Sequence, residues 1–234
     1  MREIKDPTGG GWKIREILDP YTSERYNQYF YKNKRAPRIE LRTKIAKQLA
    51  GYTLIEKDLR NVALWIKEID KLFPSSERPG GAFISPDRER FNVIKGLYVA
   101  ALSFYGKCFT QCEGRKVKLD KKFIDDKYHE IHDNIMHMRH NYAAHSGSDT
   151  FEEVKIALVL YPNKNTKLLP RVVKELQQAD MMYQSADEKL HFIDLVEHTR
   201  LRVLNKMEVI EKRILENDIL PQGKDHWYKL AKKS

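Results

Sequence analysis

The chain is 234 residues long, enough for one large domain or two small ones, and is 41% hydrophobic and 32% charged. That balance fills a core, and no run approaches the roughly 20 apolar residues of a membrane-spanning helix, which argues against a membrane protein. The 43 Lys and Arg against 33 Asp and Glu leave a net charge of +10, which favours polyanionic partners such as nucleic acid, although the charge is dispersed rather than gathered in one run. The first six residues, Met1-Arg2-Glu3-Ile4-Lys5-Asp6, carry no apolar h-region, so no signal peptide is expected. Cys108 and Cys112 are the only cysteines. Two thiols make no disulfide framework and fall short of the about four ligands of a zinc site, so they are read as reduced, in a cytoplasmic protein.

Residues 1–40 read as an N-terminal arm, irregular through residue 38 and punctuated by Gly9-Gly10-Gly11, Pro20 and Pro37. Its aromatics Tyr21, Tyr26, Tyr29, Phe30 and Tyr31 have two readings: a platform on which bases stack, or, the more ordinary one, packing onto the domain or a partner subunit. Ile45, Leu49, Tyr52, Ile55, Leu59, Val62, Ile66, Ile69 and Phe73 then step by three and four, and predict a long amphipathic helix. Pro74-Ser75-Ser76 ends it and Pro79-Gly80-Gly81 opens a loop. A second helix is expected from Ser85 as N-cap and Pro86 at the first helical position, with Phe91, Ile94, Leu97, Ala101, Phe104 and Cys108 as its stripe.

A third helix is expected from near Leu119-Asp120, carrying Ile124, Tyr128, Ile131, Ile135, Met138 and Tyr142 and stopping at Gly147. The period then changes to two. Val154, Ile156, Leu158 and Leu160 alternate, and Pro162-Asn163-Lys164-Asn165 turns the chain back through Leu168 to Leu176. A last helix is expected from the capping-box pair Ser185 and Glu188, burying Phe192, Val196, Val203, Met207, Ile210 and Ile214 until Pro221 stops it. Residues 221–234 read as a basic C-terminal tail. The predicted fold is mainly α: an antiparallel helical bundle over 41–220 with a small β-hairpin inserted at about 152–178. No repeat of fixed period and no GxxxxGK[ST], GxGxxG, HExxH or GxSxG string occurs.

Five of the eight histidines, His129, His132, His137, His140 and His145, fall within 17 positions around Arg139. Three readings compete. His129, His132 and Asp133 are spaced to share an ion, but no further His or Glu completes the set. Alternatively the histidines lie on a solvated helical face and Arg139 pairs with Glu130 or Asp133. The third reading is phosphodiester chemistry. The string Arg139-His140-Asn141-Tyr142-Ala143-Ala144-His145 is Arg, a polar residue, four more residues, then His, at the end of a late helix and followed by Ser146-Gly147.

In that string and its position the chain resembles the HEPN family of ribonucleases. The resemblance spans roughly residues 41–218, less the hairpin. Residues 100–119, with Lys107-Cys108-Phe109 and Gly114-Arg115, also look like an upstream helix and loop of such domains. It implies that Arg139 and His145 are the catalytic pair and that His140 orients them. It also implies cleavage without metal or cofactor, a composite site shared by a homodimer, RNA as substrate, and a toxin or phage-defence role with a possible antitoxin. Some members carry a Tyr two positions after the final His that a partner nucleotidyltransferase modifies; Gly147 stands there, which puts that regulation in doubt.

Elementary chemistry agrees with that pairing. Attack by the 2′-hydroxyl needs a base, an acid for the leaving 5′-oxygen, and positive charge near the phosphorane. Histidine titrates near neutrality and serves as either acid or base. Arginine stays charged and presents a planar fork to two phosphate oxygens. At about 100° per residue, positions six apart lie about 120° apart on an ideal helix, so one chain presents the pair poorly unless the helix ends between them. Two chains about a two-fold axis bring two pairs to one cleft. Two other functions fit the same sequence: a non-catalytic HEPN-like module binding nucleic acid, nucleotide or a partner protein, and a helical scaffold with an apolar dimer face.

Overall fold

The stripe from Ile45 to Phe73 winds into one 29-residue helix, α1 (Lys44–Leu72), whose buried positions include Ile55, Leu59, Val62 and Ile69. In this computed structural model, residues 2–5, 10–74, 87–144, 152–162, 164, 168–178 and 191–232 are described. The chain is mainly α with small antiparallel sheets. It divides into two units, one of Gln48–Glu208 and one of Met1–Lys47 with Val209–Ser234.

In the larger unit α2 (Arg88–Phe109) buries Phe91, Ile94, Ala101, Leu102 and Tyr105. Its N-cap is Asp87, whose carboxylate accepts from the Arg90 backbone N–H at 3.0 Å. This corrects the expected cap at Ser85, and the reason is that Asp87 is an equally good cap nearer the first apolar position. Ser85, Pro86 and the loop calls at residues 75–81 lie outside the described residues. The third helix also starts later than expected. Asp120 accepts from the Lys122 N–H at 3.0 Å and closes a 3₁₀ turn, Lys121–Phe123. A second 3₁₀ turn follows at Asp126–Tyr128, and only then does α3 (His129–Met138) begin. Aspartates that bond locally to the backbone favour turns over helix, which is why the apolar spacing of Ile124 and Tyr128 does not by itself produce one. After Met138 the chain winds as a π turn, Arg139–Ala144.

α4 (Phe192–Arg213) places Phe192, Leu195, Val196 and Val203 in the core with Ile55, Leu59, Val62, Ile94, Leu102, Tyr105 and Ile135. Burying each such side chain stabilises by about 1.5–3 kcal/mol, so this shared cluster is what holds the four helices together. The expected capping box of Ser185 and Glu188 lies outside the described residues; in those described, Asp194 accepts from the His191 N–H at 2.8 Å. β5 (Glu152–Val159) pairs antiparallel with β6 (Arg171–Gln178), with Val154 opposite Leu176 and Leu158 opposite Val172. The alternating apolar residues face outward: Val154, Ile156 and Leu158 are 55–65% exposed. Among the described residues no helix is long and apolar enough to cross a membrane.

In the smaller unit the N-terminal segment is not the irregular arm expected. It is a four-stranded antiparallel meander of β1 (Arg2–Lys5), β2 (Trp12–Leu18), β3 (Arg25–Tyr31) and β4 (Lys34–Ala36). Two turns explain it. Lys32 and Asn33 both have positive φ, 45° and 63°, the two-residue hairpin geometry that matches strand twist. Asp19 Oδ1 accepts from the N–H groups of Tyr21 and Thr22 at 2.8 and 3.0 Å and closes the β2–β3 connection. The C-terminal tail is likewise ordered. A π turn (Ile214–Ile219) and a 3₁₀ turn (Leu220–Gln222) lead into α5 (Gly223–Ala231), and the Trp227 indole N–H donates to the Ile219 carbonyl at 2.9 Å. Pro221 sits in the first turn of a helical segment, where its missing N–H costs nothing.

Candidate functional site

Arg139 is the first residue of the π turn that replaces α-helical winding at the end of α3. Single π turns are rare and recur at functional sites. The turn also changes the geometry of the motif, since the α-helix ends before the residues that separate Arg139 from His145. His145 itself lies outside the described residues.

The side chain of Arg139 lies across α2 at Gly106. A Cβ built on Gly106 would meet Arg139 Cγ at 2.9 Å, Cδ at 3.1 Å and Nε at 3.2 Å. Glycine is therefore what lets the arginine stem rest on α2. Arg139 is half-buried and, among the described residues, has no ion pair. Asp133, the partner one reading offered it, is held instead by Lys121 at 2.6 Å, which keeps that carboxyl below the usual carboxylate range. An arginine whose stem is held in place and that has no ion pair among the described residues can offer its planar fork to an anion.

The histidines separate into different environments. His132 is buried, its Nδ1 2.8 Å from the Tyr105 hydroxyl and its ring 4.5 Å from that of Phe109. Burial pushes its pKa down and that of Tyr105 up. It is a core histidine, kept neutral by its surroundings. His129 Nε2 lies 3.3 Å from the Ile124 carbonyl, across the 3₁₀ turns. His129, His132 and Asp133 thus each engage different groups, and among the described residues no three metal-ligating side chains converge. His137 is exposed, and the Asn141 amide Nδ2 lies 3.1 and 3.0 Å from its Nδ1 and Nε2. His140 is exposed on the π turn.

A buried ionic cluster was missed in the sequence. Asp58 of α1 is fully buried and bonds the guanidinium of Arg115, itself 4% exposed. Lys107 Nζ stands 3.5 Å from the same carboxylate oxygen, and the Arg115 guanidinium also donates to the Lys107 carbonyl at 3.4 Å. The cluster ties the loop after α2 to α1, and Val117 of that loop sits where a Cβ on Gly51 would fall, 2.5 Å from its Cγ2. Asp58 falls among Ile55, Leu59 and Val62 on the stripe of α1, which is the signal that could have found it. Cys108, beside the cluster, has its thiol pushed up to about 12, chiefly by burial, and is no nucleophile. Cys112 is also a free thiol.

Compared with family models, with curated proteins and with solved structures, the chain matches none.

Proposed function

We propose that this chain is a HEPN-type endoribonuclease that cleaves RNA without metal, by attack of the 2′-hydroxyl on the adjacent phosphodiester. The observation that carries the reading is Arg139: a half-buried residue without an ion-pair partner among the described residues, its stem laid on Gly106 at the π turn that opens the Arg139–His145 string. In this reading Arg139 clamps the non-bridging phosphate oxygens, His145 transfers the proton and His140 orients them. The neutral, buried His132 and the Lys121-bound Asp133 take no part.

The helical domain is read as an antiparallel bundle with the β5–β6 hairpin as its insertion. Two copies related by a two-fold axis near α3 and its π turn supply one composite cleft, in a cytoplasmic toxin or phage-defence factor that an antitoxin protein holds in check. Light scattering at micromolar concentration is expected to give a dimer; a monomer would count against the shared cleft. Incubating the purified chain with total RNA, with and without EDTA, tests the chemistry. The expected result is cleavage that EDTA does not inhibit, leaving 2′,3′-cyclic phosphate ends. Binding without cleavage would favour the non-catalytic module instead.

A further inference from the structure

The four-stranded N-terminal sheet has an aromatic, basic face with no role in the cleavage chemistry. Strand pairing sets that face. Trp12 lies opposite Tyr31, Ile14 opposite Tyr29, Glu16 opposite Asn27 and Leu18 opposite Arg25, so these side chains share one side. Trp12 and Tyr31 are in contact, ring centroids 5.0 Å apart, and remain 43% and 42% exposed. Lys34, opposite Tyr31 on β4, extends the same face, and Lys32 Nζ sits 5.5 Å over the Tyr31 ring. Beyond Tyr29 the surface dips into an open groove of about 580 Å³, lined on this face by Glu16, Asn27 and Tyr29 with the exposed cations Arg25 and Arg38, and reaching Ile17 and Tyr26, which the register places on the other side. Of the seven basic residues between Trp12 and Arg38, the register places Lys13, Arg15 and Arg35 on the other side of the sheet; Arg25 and Lys34 stand on this face against one acid, Glu16, with Lys32 over the Tyr31 ring and Arg38 at the groove.

We propose that this face binds single-stranded nucleic acid, with bases stacked on Tyr29, Tyr31 and Trp12 and the backbone drawn along Lys34, Arg25 and Arg38. Two exposed rings, Trp12 and Tyr31, and the partly exposed Tyr29 beside cations are the two elements of a single-strand site: every base has a face to stack, and every phosphate needs a counter-charge. The spacing also fits. Tyr29 and Tyr31 are two residues apart on one strand, so they stand about 6.8 Å apart. Inserting a ring between successive bases doubles their rise of about 3.4 Å to that same distance. A protein partner fits less well, because an apolar interface core is depleted in charge and this face interleaves rings with cations. Binding at this face does not depend on the cleavage chemistry proposed for Arg139.

The test is fluorescence anisotropy of the full chain with labelled twelve-nucleotide 2′-O-methyl oligouridylate, which 2′-hydroxyl attack cannot cleave, and with oligothymidylate and a duplex of equal length. Both single strands are expected to bind, the duplex at least tenfold more weakly. Tyr31→Ala should weaken single-strand binding by roughly 5- to 150-fold, the effect of one lost stack, while Tyr31→Phe retains it. The double variant Arg25→Glu with Arg38→Glu changes only exposed side chains, so the sheet should stay folded. It should lower the slope of log affinity against log salt by about 1.4, two phosphate contacts' worth. Tyr31→Ala and the charge-reversed variant both keep the Arg139–His145 string intact, so their loss of affinity assigns binding to this face rather than to the cleavage site. The proposal is overturned if Tyr31→Ala and the charge-reversed variant bind as tightly as the wild type, if the duplex binds equally well, or if polyglutamate of matched charge competes as strongly as the oligonucleotide.

Discussion

Arg139 is held by what its neighbour lacks. Gly106 leaves room for the arginine stem, so Gly106→Ala should push it aside while improving the intrinsic helix propensity of α2. The expected outcome is an unchanged or raised melting temperature with cleavage reduced on the order of 10- to 100-fold, because misplacing a catalytic group by about 1 Å costs that much. A merely structural glycine would show the opposite pattern. His132 sets a pH dependence. Its folded pKa lies below its unfolded value, so the unfolded chain binds more protons from about pH 6.5 downward. Stability should therefore be constant above that pH and fall as the solution is acidified through the folded pKa. His198, lowered by burial in the same way, adds to the slope. Thermal unfolding between pH 5 and 7.5 should show this, and His132→Gln should flatten it. Arg139 could be singled out in the sequence because its string is local. Gly106 was not, because its role exists only once α2 and the π turn meet, and the burial of His132 depends on Tyr105 and Phe109 from another helix.

At the scale of elements, the Asp58–Arg115 pair fastens the loop after α2 to α1. Asp58→Ala would strand the Arg115 charge in the interior, so urea unfolding should show a loss of about 3–5 kcal/mol. A loss under about 1 kcal/mol would mean that the pair is not what holds the loop. Asp87→Ala should cost about 0.5–2 kcal/mol through the lost cap of α2, and Asp87→Asn far less. The helices α1 and α2 were readable because their apolar stripes are long; the start of α2 was set two residues early because Ser85 and Asp87 are both good caps. α3 was misjudged because Asp120 and its neighbours favour 3₁₀ turns over an otherwise helical spacing. The N-terminal sheet escaped notice for two reasons. Its strands carry apolar side chains on both faces, Trp12 and Ile14 on one and Ile17 and Phe30 on the other, which hides the period of two. Its tightest turn is Lys32-Asn33 rather than the Asn-Gly or Asp-Gly pair that marks such turns.

Across the whole molecule the net charge of +10 favours polyanionic partners. A chain of +10 that meets RNA through phosphates should lose affinity steeply with salt, by about 0.7 in log K per decade of salt for each phosphate contacted. A flat salt response, measured by the same anisotropy titration, would contradict any nucleic-acid role. The cleavage chemistry proposed for the Arg139–His145 string is tested by single-residue variants. Initial rates of RNA cleavage should be measured for the wild type, Arg139→Ala, His145→Ala and His140→Ala, with melting temperatures taken on the same preparations. Arg139→Ala and His145→Ala should each lose about 10²–10⁴ in rate, the worth of a placed proton donor or a transition-state charge. His140→Ala should lose less, His129→Ala and His132→Ala should cleave nearly as the wild type, and Arg139→Ala should melt as the wild type does. Cleavage that survives Arg139→Ala and His145→Ala, yet is lost in His129→Ala or on adding EDTA, would mean that the chemistry belongs to a metal centre and not to the Arg139–His145 string.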